Sequence, residues 1–145
     1  MKEYQDTFEL LKKKFTKFLV LVIPDQSKPF QIEADASKFA TGTVLSQDDL
    51  NGDCHPCAFL SQSLGPAERN YQIYDWEFLS IMHALWVWRH YIQGSSFMTS
   101  ILSKHQNLMY FKKAQKLNPR QAHWLAELAE DNFTLKHVLF VWETE

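Results

Sequence analysis

Alternating hydrophobic and polar positions predict a sheet in the first half of the chain. Residues 30–36 alternate strictly, so that every second side chain is apolar, as in a strand with one buried face. Further strands are predicted over residues 40–47 and 55–61, and Asn51-Gly52 between them is typical of a hairpin turn. We therefore expect three strands in an antiparallel meander. The apolar side chains of the first strand are Phe30, Ile32 and Ala34.

Apolar positions at helical spacing follow the three strands. Pro66 and Ala67 open a helical region, in which these positions form one stripe with i, i+3, i+4 and i+7 spacing. The stripe predicts a long helix that stops at Gly94. Because the stripe is continuous, this helix should pack one face on the sheet. The stripe consists of Phe78, Ile81, Met82, Leu85, Trp88 and Ile92.

The remaining pattern completes a mixed α/β fold. A fourth strand is predicted over residues 97–102 and a short helix over 105–114. Asn118-Pro119 is a typical start for another helix, which runs to about Glu130, and a fifth strand follows over residues 133–140. This order predicts a five-stranded mixed sheet flanked by helices.

The N-terminal segment is predicted to lead into the main domain. Asp6 is suited to cap a short helix, and residues 18–23 are apolar throughout, which predicts a buried strand. A turn-rich connector ends this segment. We divide the chain into an N-terminal segment, residues 1–28, and a main domain, residues 29–145.

Composition excludes several classes of protein. The chain has 145 residues, of which 46% are hydrophobic and 22% charged, as in one globular domain rather than a disordered chain. Its four glycines form no phosphate-binding motif. A net charge of −2 argues against a strong overall attraction to nucleic acid but permits a local basic patch. The longest apolar run is too short to span a bilayer, so we expect a soluble intracellular protein, in the cytoplasm or nucleus, without a membrane partner.

Two carboxylates are the first candidates for chemistry. Asp35 lies on the polar face of the first strand near its end, and Glu77 lies at the rim of the apolar stripe of the long helix. If this helix packs on the sheet, both carboxylates become possible oxygen ligands for magnesium. The alternative is that Glu77 is an ordinary surface residue of a first helical turn and Asp35 a turn residue.

Basic and cysteine residues give weaker signals. Lys112, Lys113, Lys116 and Arg120 are candidates for contacts with nucleic-acid phosphates, or form an ordinary solvated face. Cys54 and Cys57 form a lone CxxC without further zinc ligands at matching spacing. We therefore expect Cys57 to be a small buried hydrophobic residue.

Eight blocks of sequence occur in a characteristic order. They are residues 30–47 (FQIEADASKFATGTVLSQ), 55–59 (HPCAF), 67–71 (AERNY), 74–77 (YDWE), 88–91 (WRHY), 107–108 (NL), 110–111 (YF) and 116–122 (KLNPRQA). Together these blocks resemble the ribonuclease H domain of gypsy-type LTR retrotransposon polyproteins, over about residues 7–140. The resemblance implies the ribonuclease H-like fold and makes residues 1–28 the end of the adjoining reverse transcriptase part.

The resemblance also implies a site and a reaction. In that family four acidic side chains bind two magnesium ions, one helping to activate a water and the other stabilising the leaving oxygen, and the RNA strand of an RNA:DNA hybrid is cut. Asp35 would be the first carboxylate and Glu77 the second. The third position, just before the His-x-Asn-Leu block, is occupied by Lys104. The fourth belongs to a final helix after the last strand, which this sequence, ending at Glu145, is expected to lack.

The lysine at the third position predicts that cleavage is lost. A unit charge pair at about 4 Å and an effective dielectric near 20 is worth on the order of 4 kcal/mol, and this doubles against a divalent ion. We expect Lys104 to lie between Asp35 and Glu77 as an internal substitute for the metal; the alternative is that it extends into solvent. Glu143 or Glu145 at the C-terminus is a remote candidate for a replacement ligand.

The expected function is therefore that of a retrotransposon-derived, reverse transcriptase-associated domain that is not an active enzyme as an isolated chain. One alternative is an active RNA:DNA-hybrid endonuclease that works within a larger polyprotein or assembly. Another is a non-enzymatic module that binds nucleic acid or protein. Without the final helix, uncovered apolar sheet surface would favour self-association or a partner such as reverse transcriptase.

Overall fold

The computed structural model describes residues 2–16, 21–104 and 117–137, apart from the side chains of Phe15 and His137. The described residues form three α-helices and five strands, with a short 3-10 helix over Glu68–Asn70 before the long helix. In chain order they are α1 (Lys2–Thr16), β1 (Gln31–Ala36), β2 (Ala40–Asp48), β3 (Cys54–Ser63), α2 (Ile73–Gln93), β4 (Thr99–Ser103), α3 (Pro119–Ala129) and β5 (Phe133–His137).

The five strands form one mixed sheet in the order β3-β2-β1-β4-β5. β1, β2 and β3 pair antiparallel, whereas β4 pairs parallel to both β1 and β5. The predicted meander and the mixed five-stranded sheet are therefore confirmed. The turn between β2 and β3 contains Gly52 at a φ of +83°, a left-handed conformation that glycine adopts without a steric penalty.

The core lies between the sheet and α2. The three apolar side chains predicted for one face of β1 are all buried, and so is the complete apolar stripe of α2. Trp124 and Leu128 of α3 join the same cluster, and the Trp124 ring packs 5.6 Å from that of Phe78. Alternation in β1 and helical spacing in α2 thus identified the two surfaces that bury each other.

The N-terminal segment differs from its prediction in two ways. α1 begins by Lys2, so Asp6 lies inside the helix and is not its cap. Leu21, Val22 and Ile23 form no strand and are exposed, so the predicted buried strand over 18–23 is wrong for its described part. A uniformly apolar run carries no periodicity that assigns it a partner. Among its described residues, the N–H of Val22 donates to the carbonyl of Pro56 in β3 at 2.9 Å.

The second half of the chain follows its predicted order where it can be described. The helix over 105–114 and the end of the fifth strand, residues 138–140, lie outside the described residues. α3 begins after Asn118, as predicted, because the Asn118 side chain and Gln121 form a reciprocal capping box. None of the helices in the described ranges is long and apolar enough to cross a bilayer.

Candidate functional site

Asp35 lies at the end of β1, where the chain turns towards β2. Its carboxylate is 61% exposed and accepts a hydrogen bond from the N–H of Ala36 at 3.1 Å. The side chain borders a shallow cleft of about 280 Å³ at this end of the sheet. The cleft is lined by Asp35, Ala36, Ser37, Ala40, Thr41, Gly42 and Ser61. The small and hydroxyl-bearing residues leave Asp35 accessible to a ligand.

Glu77 lies in the second turn of α2 and is only 1% exposed. The alternative prediction, an ordinary surface glutamate, is therefore wrong. Burial, and to a smaller extent the nearby charge of Asp35, raise the pKa of the Glu77 carboxyl to about 8. A hydrogen bond from the Ala36 backbone and the charge of Lys104 act oppositely and lower this pKa. At neutral pH, Glu77 is thus mostly protonated.

Lys104 follows β4 directly and lies next to Asp35. β1 and β4 pair in parallel, and their last pair is Ala34 and Ser103. The residues that follow this pair, Asp35 near the end of β1 and Lys104 just after β4, therefore lie side by side. Lys104 Nζ lies 3.7 Å from Asp35 Oδ2, and its side chain is 37% exposed. The sheet register therefore places Lys104 beside Asp35, and the ammonium contacts a carboxylate rather than solvent alone. Glu77, on α2, is near enough for the charges of both residues to act on its pKa.

These residues do not fit a pair of magnesium ions. Magnesium requires oxygen ligands that carry enough negative charge to replace part of its hydration shell. Of the two carboxylates, one is buried with a raised pKa and the other is paired with an ammonium. In the part of the chain that the structure describes, no group of three or more His, Cys, Asp or Glu side chains converges so that it could hold a metal. Glu143 and Glu145 lie outside that part.

His83 is a residue near the site that sequence reasoning missed. It lies on α2, is buried, and its Nδ1 is 3.0 Å from the hydroxyl of Thr41, which lines the cleft beside Asp35. Burial lowers the pKa of His83, which keeps the ring neutral at physiological pH. A histidine outside the apolar stripe of a helix gives no sequence signal for such a contact, because its partner comes from a distant strand.

Arg120 is engaged in contacts within the domain. Its guanidinium lies 3.6 Å from the centroid of the Tyr71 ring and 3.4 Å from Asp75 Oδ2. Asp75 is buried and also accepts a hydrogen bond from Gln121 Nε2 at 2.7 Å. Arg120 of α3 thus forms an ion pair with Asp75 of α2, which links the two helices. The other members of the predicted basic cluster, Lys112, Lys113 and Lys116, lie outside the described residues.

The two cysteines have no disulfide. Cys57 is buried, which confirms its prediction as a small core residue, whereas Cys54 is exposed. Burial raises the pKa of both thiols. A raised pKa leaves little thiolate at neutral pH, and thiolate is the form that reacts or binds metal.

Comparison with protein families gives a match over most of the chain. The family model described as "RNase H-like domain found in reverse transcriptase" matches residues 25–130. A retrovirus-related Pol polyprotein from transposon 297 of Drosophila melanogaster is 35% identical over 94% of this chain. The transposon Tf2-3 polyprotein of Schizosaccharomyces pombe is 34% identical over 78% of it. The chain spans about a tenth of the length of these curated relatives, 12% and 9%.

Solved structures show the same fold at low sequence identity. A foamy viral protease-reverse transcriptase solved with double-stranded DNA has a TM-score of 0.74 at 14% identity, covering 100% of this chain and 27% of that one. LC11-RNase H1, solved in complex with an RNA/DNA hybrid, has a TM-score of 0.54 at 14% identity, covering 75% of this chain and 84% of that one. These similarities establish the RNase H-like fold that the resemblance implied.

Proposed function

Because this chain belongs to the family of RNase H-like domains found in reverse transcriptase, we propose that it is such a domain from a gypsy-type LTR retrotransposon polyprotein and that it has lost RNA cleavage. Its partner is an RNA:DNA hybrid or a related duplex. Two structural neighbours, LC11-RNase H1 and the foamy viral protease-reverse transcriptase, were solved in complex with an RNA/DNA hybrid, which supports this partner class.

The ion pair between Lys104 and Asp35 is the main observation that supports the proposed loss of cleavage. A cation 3.7 Å from the accessible carboxylate takes up the charge that a divalent metal would otherwise balance. A magnesium ion near Asp35 would have to displace this ammonium or lie beside it, and at about 4 Å their repulsion is on the order of 8 kcal/mol at an effective dielectric near 20. We therefore assign Asp35 and Glu77 as remnants of a catalytic and magnesium-binding pair.

The segment preceding the domain completes the proposal. We assign residues 1–28 to the end of a reverse transcriptase connection segment and residues 29–145 to the RNase H-like domain. The family match supports a boundary in this region, because it begins at residue 25.

A cleavage assay and a magnesium titration test the proposal together. The full chain is mixed with a labelled RNA:DNA hybrid and magnesium or manganese, and we expect no cut RNA above a protein-free control. In parallel, magnesium is titrated into the isotopically labelled chain while the NMR signals near Asp35 and Glu77 are followed. We expect no saturable shifts below millimolar magnesium, because the ammonium already neutralises Asp35.

Two substitutions of Lys104 separate its charge from its bulk. Lys104→Asp supplies a third carboxylate and should produce saturable magnesium shifts at both Asp35 and Glu77. Lys104→Met removes the charge without adding an oxygen ligand and should give much weaker shifts. Reproducible cleavage by the unmodified chain that Asp35→Asn abolishes would instead establish the competing function, an active hybrid endonuclease.

A further inference from the structure

An exposed aromatic side chain lies on the turn beside the Asp35 cleft. Phe39 belongs to the short connection between β1 and β2, and 63% of its surface is exposed. Two of its neighbours in the turn, Ser37 and Ala40, line the cleft. Burial of a phenylalanine side chain is favourable by on the order of 2 kcal/mol, so a ligand that covers the exposed ring would gain this free energy on binding.

The backbone that carries Phe39 is fixed by hydrogen bonds. The N–H of Ser37 donates to the carbonyl of Ala40 at 2.9 Å, and the Ser37 hydroxyl accepts from the N–H groups of Phe39 and Ala40, both at 3.2 Å. The carbonyl of Phe39 accepts from the N–H of Leu64, a core residue, at 2.8 Å. The ring therefore projects from a rigid turn, so little ordering entropy would be lost when it binds.

A guanidinium accompanies the ring. Arg69 lies with its guanidinium carbon 5.7 Å from the centroid of Phe39, and its Nε donates to the carbonyl of Leu64 at 3.1 Å. Leu64 thus links the Arg69 side chain to the backbone of the turn that carries Phe39. Exposed Lys38 adds a second positive charge on the same turn. The Lys104 ammonium offsets the charge of Asp35 nearby, which would otherwise repel a phosphate.

We propose that Phe39 and Arg69 form a stacking site for an unpaired nucleobase of a bound strand, with Lys38 contacting the adjoining phosphate. A rigid exposed aromatic ring combined with arginine is the usual platform for single-stranded nucleic acid, and such stacking tolerates any base. Bases inside a duplex already stack on each other, so the ligand is a base in a single-stranded tail or at a duplex end. This inference rests on the nucleic-acid partner of the proposed function and names how the domain contacts it.

Binding of two hybrids by the full chain tests the site. Fluorescence anisotropy is measured with a labelled RNA:DNA hybrid that carries a short unpaired tail and with the same hybrid without it. We expect tighter binding of the tailed hybrid and a roughly tenfold loss of its affinity in Phe39→Ala. Phe39→Trp should retain the affinity. The matched control is Phe97→Ala, which removes another exposed phenylalanine (46% exposed) that precedes β4.

Three results would overturn the stacking site. They are equal affinity of the unmodified chain for both hybrids, equal effects of Phe39→Ala and Phe97→Ala, and the absence of any hybrid binding, which would leave a protein as the ligand of this turn. Circular dichroism confirms that each variant is folded. Cleavage and magnesium binding are measured in separate assays, so failure of the stacking site would not contradict the loss of cleavage, and the reverse also holds.

Discussion

Glu77 is the residue whose environment departs most from that of an ordinary surface glutamate. Because burial raises its pKa to about 8 from a usual 4.5, the folded chain retains a proton that the unfolded chain releases. The contribution of this proton to the free energy of unfolding is fully present below pH 4.5 and is lost as pH rises through about 8. The fold is therefore expected to weaken between these limits, in the direction opposite to that caused by a salt-bridged carboxylate.

Glu77→Gln should remove this pH dependence. The amide is neutral at every pH, so the free energy of unfolding of the variant, relative to that of the unmodified chain, should increase as pH rises from 5 to 9. The increase should be at least about 1.4 kcal/mol, the equivalent of one pKa unit. The measurement is urea unfolding at several pH values. Glu130→Gln, which removes a surface carboxylate after α3, serves as the control. An equal increase in the free energy of unfolding of both variants would show that net charge, and not the burial of Glu77, determines how stability depends on pH.

Sequence reasoning singled out the candidate site residues but not their burial. Asp35 was a candidate by its position on the first strand and Lys104 by resemblance, and their contact follows from the parallel register of β1 and β4, which no local pattern encodes. Glu77 was placed at the rim of the α2 stripe. It is buried because α2 is covered on more than its apolar face, as the buried side chains of Asp75 and His83 also show.

Among the elements, α3 shows how a local signal becomes tertiary structure. Asn118 Oδ1 accepts from the N–H of Gln121 at 2.8 Å, and Gln121 Oε1 accepts from the N–H of Asn118 at 3.2 Å. The same Gln121 side chain donates to buried Asp75 of α2. The helix start was predictable from Asn118-Pro119, whereas the link to α2 was not, because it depends on how the two helices pack.

Substitution of the two capping residues should separate these roles. Asn118→Ala removes only the cap and should lower the free energy of unfolding by about 1 kcal/mol. Gln121→Ala also removes a hydrogen bond to a buried carboxylate and should cost about 1–3 kcal/mol more. Asn118→Ser, which keeps a capping oxygen, is the control for Asn118→Ala. Chemical denaturation gives all three values, and equal losses for Asn118→Ala and Gln121→Ala would show that the contact with Asp75 contributes nothing.

The elements that were predicted incorrectly lie where apolar residues have no partner. β1 and α2 were found because their periodicities match two faces that bury each other. The apolar run over residues 18–23 has the composition of a strand, but Leu21, Val22 and Ile23, its described residues, are exposed. Hydrophobicity without a periodic pattern indicates a tendency to be buried but does not identify the surface that would cover it.

For the whole molecule, the described part of the N-terminal segment is joined to the domain by polar contacts rather than by a packed core. Among the described residues no broad packing contact connects α1 with the sheet, and Tyr4, Phe8 and Leu11 of that helix are exposed. The attachment lies further along the chain. The buried side chain of Gln47 in β2 accepts from the N–H of Asp25 at 2.8 Å and donates to the carbonyls of Asp25 at 2.7 Å and Lys28 at 3.3 Å.

The proposed boundary after residue 28 therefore has an energetic consequence. A chain that starts at residue 29 removes these three hydrogen bonds from the Gln47 amide, and each polar atom that finds no new partner costs about 1–3 kcal/mol. We expect a chain that starts at residue 21 to unfold at nearly the same urea concentration as the full chain, and one that starts at residue 29 to unfold earlier. Gln47→Met, which replaces the amide by an apolar side chain of similar volume, should destabilise the first truncated chain but stabilise the second. If Gln47→Met changed the stability of both truncated chains in the same direction, residues 25–28 would contribute no stability through their hydrogen bonds with Gln47.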